Sequence, residues 1–175
     1  FRSERKKIKE YEKIDEDFKE ISTRLQRTFR LITNPTGSTL NELKEFSERI
    51  QNEMRPSSMI IKNIVLQGSG EDSIYRHGVN VAALSALIGK WIGMEPKDIN
   101  RLIYSAILHD FGKTKIDKEI LKKNGALTTS EFEVIKTHTT LGYKMLKDVS
   151  YLDKSVLYGV VMHHEREDGS GYPLS

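Results

Sequence analysis

Five histidines, His77, His109, His138, His163 and His164, are spread through 175 residues that contain no cysteine. Any transition metal bound here must therefore be held by imidazole or carboxylate, because thiolate is absent. A lone histidine on a helix is commonly a hydrogen-bonded core residue. These five have company. Asp110 directly follows His109 at the end of the apolar run LIYSAILHDFG, residues 102–112, and burying that carboxylate is costly unless a cation or a donor partners it. Neighbouring side chains on a helix diverge by about 100°. Where the helix stops, both can turn toward one ion, and the two carboxylate oxygens can bridge a pair of ions. Imidazole with carboxylate suits Mn, Fe, Ni, Co or Zn. A second cluster is the stretch HHEREDGSGYP, residues 163–173, which sets paired imidazoles directly before a glycine-rich turn.

The elements that must position these groups read as helices. SIYRHGVNVAALSALIGKWIG, residues 73–93, puts Ile74, Val81, Leu84, Leu87, Ile88 and Trp91 on one broad stripe and stops at Gly93. Pro96 suits a first helical turn, and Ile99, Leu102, Ile103, Ala106 and Ile107 form the buried face of the next helix, which Gly112 is expected to end. Thr128 with Glu131 is a capping box for the helix that carries His138. A last helix over residues 153–164 delivers His163 and His164 into the turn. Strand-like alternation is nearly absent, so the fold class is all-α, a bundle of short helices.

Residues 2–33 are charge-rich, with Tyr11, Ile14, Phe18, Ile21, Leu25 and Ile32 near heptad spacing and polar Thr28 in the gap. Two readings fit: a coiled coil pairing two chains in parallel, or an amphipathic helix lying on its own domain. TNPTGSTLNEL, residues 33–43, ends one helix and starts another through Pro35, Gly37 and a cap at Ser38 or Thr39. A helix over residues 40–54 stops before Pro56, and QGSGEDS, residues 67–73, is a further break. The organisation expected is a helical extension over 1–55, dimerising or signal-transmitting, followed by a domain over 56–175 that carries all five histidines.

Apolar residues make up 37% and charged residues 30%, with a net charge of +3, the balance of an ordinary soluble chain. Basic and acidic residues interleave, so nucleic acid is not implied. Apolar runs such as MIIKNIVL, residues 59–66, are too short to cross a bilayer, and no signal segment opens the chain. A cytoplasmic protein without membrane contact is expected. Opening on Phe1 instead of Met is expected of a fragment of something longer.

HDFGK at 109–113 resembles the H-D-x-G-K motif, and HHEREDGSGYP the H-H-E-R-x-D-G-x-G-Y-P motif, of the HD-GYP family of bacterial cyclic di-GMP phosphodiesterases. HTTLGY, from His138, is similar to the family's H-P-x-x-G element, with Thr139 where proline is common, and His77 in YRHGVNVA looks like the first ligand histidine. The resemblance covers roughly residues 60–175 and implies an HD-type helical bundle. It implies two transition-metal ions, Fe or Mn foremost with Zn, Ni or Co as alternatives. His77, His109 and Asp110 would serve one ion and His138, His163 and His164 the other, with Asp110 bridging. Water would then be activated for in-line attack on a phosphodiester while the ions hold its oxygens. By the same resemblance Lys113 would neutralise a phosphate oxygen or assist the leaving group, against the alternative of a helix-end lysine on the dipole. Arg166 and Tyr172 would touch substrate or pin the loop, whose glycines permit tight approach.

Two departures are visible. Members with three metals carry a glutamate four residues before the first histidine, where this chain has Ser73, with Glu71 and Asp72 out of register, so two ions are expected. The family's last metal-binding aspartate lies downstream of the GYP turn, beyond Ser175, so the chain is expected to be incomplete there. The implied activity is hydrolysis of cyclic di-GMP to linear pGpG and on to GMP, under an upstream sensor or receiver domain. The alternatives are a catalytically silent domain acting as a cyclic-dinucleotide sensor or protein-interaction module, and a hydrolase of another nucleotide.

Overall fold

The computed structural model describes residues 2–32, 37–53, 57–67 and 73–174. Pro35, Pro56, most of the QGSGEDS break with Glu71 and Asp72, and Ser175 lie outside the described residues. In chain order the helices are α1 (Arg2–Leu31), α2 (Gly37–Glu48) with a π-helical turn at Arg49–Glu53, α3 (Ser57–Gln67), α4 (Ser73–Trp91) and α5 (Pro96–Leu108). A 3₁₀ turn (Phe111–Lys115) follows, then α6 (Lys118–Leu121), α7 (Thr129–Lys136), α8 (His138–Leu146) and α9 (Lys154–Met162). There is no strand among the described residues, so the architecture is all-α. Pro96 occupies the first turn of α5, as read from the sequence, and the Thr128/Glu131 capping box at α7 is complete in both directions.

Helix α1 is where the heptad reading needs correction. Ile14, Phe18, Ile21, Leu25 and Ile32 are buried in the same core cluster as residues of α4, α5 and α9. The seam expected to join two chains is occupied by the chain's own core, so the second reading, a helix packed on its own domain, describes it. Each large side chain so buried contributes about 1.5–3 kcal/mol. Thr28 in the heptad gap is fully buried, its hydroxyl shared between the Arg24 carbonyl and the Glu42 carboxylate of α2. The apolar partner in this turn is instead Phe29, packed edge-on against Phe111 and Tyr75 at 4.8 and 5.3 Å between ring centres. Polar ties add register: Arg24 grips Glu45 of α2 through two hydrogen bonds of 2.6 and 2.8 Å, and Arg49 reaches Asp17 at 2.6 Å.

Helix α4 corrects a second expectation. Ile88 and Trp91, assigned to its buried stripe, are 52% and 66% exposed, whereas Val79, Ala82, Ala83, Ala86 and Leu87 face the core. Small residues line the buried face because α5 packs close. A Cβ on Gly78 would lie 3.1 Å from the Ile107 carbonyl oxygen. Arg76 on this helix is buried and ties α4 to α1 and α3, donating to Asn63 Oδ1 at 2.6 Å beside Asp15 and over the Phe18 ring.

Candidate metal centre

Helix ends build the site. Helix α5 stops at Leu108 with His109 as its C-cap, α9 stops at Met162 with His163 as its C-cap, and His138 follows Thr137, the C-cap of α7. The last carbonyls of a helix lack intrahelical donors. Each of these histidines supplies one: Nδ1 of His109, His138 and His163 lies 2.7, 2.6 and 2.9 Å from the carbonyl oxygens of Ala106, Ile135 and Val160. A carbonyl oxygen only accepts, so Nδ1 carries the proton and Nε2 turns a lone pair toward the interior of the site. Three histidines three residues beyond the carbonyls they satisfy are thereby fixed in the tautomer a metal needs.

Gly112 does not end α5, as expected, but sits buried within the 3₁₀ turn that follows it. A Cβ there would stand 1.9 Å from the His138 carbonyl oxygen and 2.6 Å from the Gly142 nitrogen. The bare backbone lets α8 press onto the HDFGK segment, and that contact brings His138 against Asp110.

The donors converge on Asp110. Its side chain is 5% exposed, with Oδ1 3.4 Å from His138 Nε2 and 3.8 Å from His163 Nε2. Oδ2 lies 3.3 Å from His109 Nε2, 3.9 Å from His77 Nε2 and 2.8 Å from Lys113 Nζ. Oδ1 is buried without a hydrogen-bond partner, and beside it the His138 and His163 Nε2 atoms face each other at 3.1 Å. With both Nδ1 atoms protonated, these three atoms are acceptors only. Acceptors gathered without a donor are repulsive, and a cation placed among them removes the conflict. The residues thus fit a metal. Two groups of donor atoms each lie within 4.8 Å of one another: His77, His109 and Asp110, and His138, His163 and His164. Asp110 touches both.

Electrostatics agree with this use. Burial alone would raise the Asp110 pKa, but His109 in its protonated form and the Lys113 ammonium outweigh it and hold the carboxyl below the ordinary carboxylate range. Burial pushes His163 down to about 3, with neighbouring imidazoles adding to the effect. His77, His138 and His164 are also lowered, in each case chiefly by desolvation. Neutral imidazoles are the form that binds metal.

The GYP turn closes one side. His164 stacks on Tyr172, ring centres 4.6 Å apart at 19°, and Lys136 Nζ lies 5.8 Å over the Tyr172 ring. The acidic residues of this stretch brace the turn: Glu165 Oε1 accepts from the Leu174 amide at 2.6 Å, and Asp168 accepts from Ser170. Gly169 has φ +71°, and a Cβ on Gly171 would strike the Arg166 nitrogen at 2.4 Å. Arg166 pairs with Asp168 at 3.3 Å with its side chain 66% exposed, a contact that braces the turn. The structure brings together the six expected metal residues with Lys113 and Tyr172; Glu165 and Asp168 were not foreseen as braces. Buried Thr139, at the position where proline is common, donates to the Lys136 carbonyl.

Imidazoles gathered round one buried carboxylate at the helix ends of an all-α bundle define a metal-binding helical domain. The chain belongs to the HD domain family, whose model matches residues 58–175. It is 40% identical over 103 residues to a cyclic di-GMP phosphodiesterase of Thermotoga maritima, covering 57% of this chain and 27% of that protein. It is 31% identical over 137 residues to the cyclic di-GMP phosphodiesterase response regulator RpfG of Xanthomonas campestris pv. campestris, covering 77% of this chain and 34% of that one. A 3'3'-cGAMP-specific phosphodiesterase of Vibrio cholerae is 32% identical over 121 residues, 69% of this chain and 27% of that protein. The chain thus spans between 27% and 34% of the length of these relatives. No solved structure matches it. No described helix is long and apolar enough to cross a membrane.

Proposed function

We propose that this chain is the catalytic part of a metal-dependent phosphodiesterase that hydrolyses cyclic di-GMP to the linear dinucleotide and on to GMP. The observation that carries the reading is the partnerless, buried Asp110 Oδ1 facing two imidazole lone pairs. His77, His109 and Asp110 would hold one transition-metal ion, Fe or Mn foremost, and His138, His163 and His164 a second. When bound, such ions supply Lewis-acid polarisation of a phosphate oxygen and a lowered pKa for water.

The chain's own residues do the rest. Hydrolysis adds a water oxygen to phosphorus, breaks the bond to the 3′ oxygen and returns a proton to that oxygen. Asp110 stays ionised and presents Oδ1 to one donor group and Oδ2 to the other. Lys113 Nζ, 2.8 Å from Oδ2 on a side chain 25% exposed, is placed to neutralise a non-bridging phosphate oxygen at the edge of the centre. Tyr172, stacked on His164, forms a wall that orients the substrate. Names borne by the relatives in Thermotoga and Xanthomonas favour cyclic di-GMP. The name of the Vibrio relative makes 3'3'-cGAMP the competing substrate.

The test is turnover of both cyclic dinucleotides by full-length, metal-reconstituted protein and its Lys113→Ala variant. The expected result is cleavage of cyclic di-GMP, slowed about 10²-fold in the variant with metal content unchanged. Background rates in both proteins, with nucleotide still bound, would replace the enzyme by a cyclic-dinucleotide sensor.

A further inference from the structure

A cavity of about 480 Å³ lies beside the metal centre, between the C-terminal end of α1, the start of α4, the 3₁₀ turn and α6. Its walls carry five cations, Arg30, Lys113, Lys115, Lys118 and Lys122, and no carboxylate. Arg30, Lys115, Lys118 and Lys122 form no ion pair with any described residue. Arg24, Arg49, Arg101, Lys123 and Lys136, by contrast, have carboxylate partners within 3.0 Å, and what sets the four apart from other unpaired surface lysines is that they share one concave wall. Like charges lining one concavity repel unless an anion joins them. Phe29 and Tyr75, in edge-on contact, supply an aromatic part of the same wall.

Lys113 links this cavity to the chemistry, because its side chain lines the wall while Nζ reaches Asp110 at 2.8 Å. A ligand held at the metal centre and Lys113 by one phosphate can therefore extend into the cavity. A cyclic dinucleotide has a second phosphate and a second base, which match four further cations and an aromatic surface in charge and kind. The volume falls in the range of small-ligand pockets, roughly 300–1,000 Å³. Part of the wall, Gln26, Phe29 and Arg30, comes from α1, which lies outside residues 58–175 matched by the HD domain model. Resting on the phosphodiesterase reading, we propose that this cavity is the subsite for the distal phosphate-bearing half of the substrate, and that Arg30 of α1 is a specificity residue within it.

The experiment compares full-length wild type with Arg30→Ala and Lys118→Ala, two exposed changes that remove no core contact. Hydrolysis of cyclic di-GMP is measured beside that of bis(p-nitrophenyl) phosphate, a small diester that reports the metal centre alone. The KM for cyclic di-GMP should rise about tenfold in each variant, the scale of one lost charged hydrogen bond. Its kcat, and both constants for the small diester, should hold. Affinity for cyclic di-GMP is also measured by calorimetry after metal removal by chelation, and should fall by a similar factor. If wild type cleaves neither compound, the phosphodiesterase reading fails, and the calorimetric arm still decides the subsite. Unchanged KM and unchanged affinity in both variants would overturn the proposal. So would inorganic pyrophosphate that binds wild type, loses affinity in Arg30→Ala and does not compete with cyclic di-GMP, since the cavity would then serve a separate effector.

Discussion

Gly112→Ala is the perturbation whose consequence can be worked most directly from the geometry. The added Cβ would stand 1.9 Å from the His138 carbonyl oxygen, 2.6 Å from the Gly142 nitrogen and 2.8 Å from the His138 carbonyl carbon. All three are backbone atoms, so no side chain can swing aside. Relaxed contacts of this kind lie near about 3.5 Å, so α8 must retreat by about 1.5 Å. Overpacking of this kind costs about 1–3 kcal/mol, readable as a lower urea midpoint at constant slope. The functional loss should be larger. His138 Nε2 lies 3.4 Å from Asp110 Oδ1, the separation of two donors that share one ion with bonds of about 2.0–2.1 Å, so retreat of α8 pulls one donor out of range. Metal affinity should fall about 10–100-fold, the scale seen when a ligand is mispositioned, and turnover about 10²-fold for a displacement near 1 Å. Thr114→Ala, exposed on the same turn, is the control and should change little. A Gly112→Ala protein with wild-type midpoint and wild-type metal affinity would refute the idea that α8 is seated by a bare backbone at residue 112.

Other consequences are open to measurement. Replacing Phe18, fully buried beneath Arg76, by Ala should lower stability by about 3–5 kcal/mol without altering the sedimentation of the folded fraction; a change in association state at unchanged stability would restore the coiled-coil seam. In metal-free protein, His163 titrates at about 3 when folded and at about 6.5 when unfolded, so the unfolded chain binds the proton first. Stability should therefore decline as pH falls from about 6.5 toward 3, and His163→Gln should flatten that limb in acid titrations followed by circular dichroism. Thr128→Ala, which breaks the α7 capping box, should cost about 1 kcal/mol in urea denaturation. Glu131, held down to about 2 by Lys123 and the Thr128 amide, stabilises the fold above about pH 4.5. That share is lost as pH falls toward 2, so Glu131→Gln should lower stability above about pH 4.5 and converge with wild type near pH 2.

The candidate metal residues stood out in the sequence because their chemistry is rare: imidazoles beside a buried carboxylate in a chain without cysteine leave few uses. Their preparation was not. That His109, His138 and His163 each donate from Nδ1 to a carbonyl three residues back depends on where each helix stops, and boundaries read from periodicity are uncertain by a residue or two. The stripe on α4 was misread for a physical reason. Large residues such as Trp91 draw the eye, but close packing on α5 selects alanine and glycine, and Trp91 is left outside. Helix α1 carried a heptad pattern that fits an intramolecular groove as well as a partner helix, because both bury one stripe at nearly the same period. Burial alone distinguishes them. Gly112 looked like a helix stop, since glycine serves both as a terminator and as a point of close approach. Arg30 gave no sequence signal at all, being one cation among many until the fold grouped it with α6.

The central claim is that one buried carboxylate joins two metal sites, and metal content read together with turnover tests it most directly. Full-length wild type and Asp110→Ala are reconstituted with Mn or Fe at pH 8, analysed for bound metal and assayed with cyclic di-GMP. The account predicts about two ions per chain and hydrolysis in the wild type. It predicts loss of both in the variant, whose fold is verified by circular dichroism. Asp110→Ala protein that keeps two ions and cleaves cyclic di-GMP at the wild-type rate would contradict it.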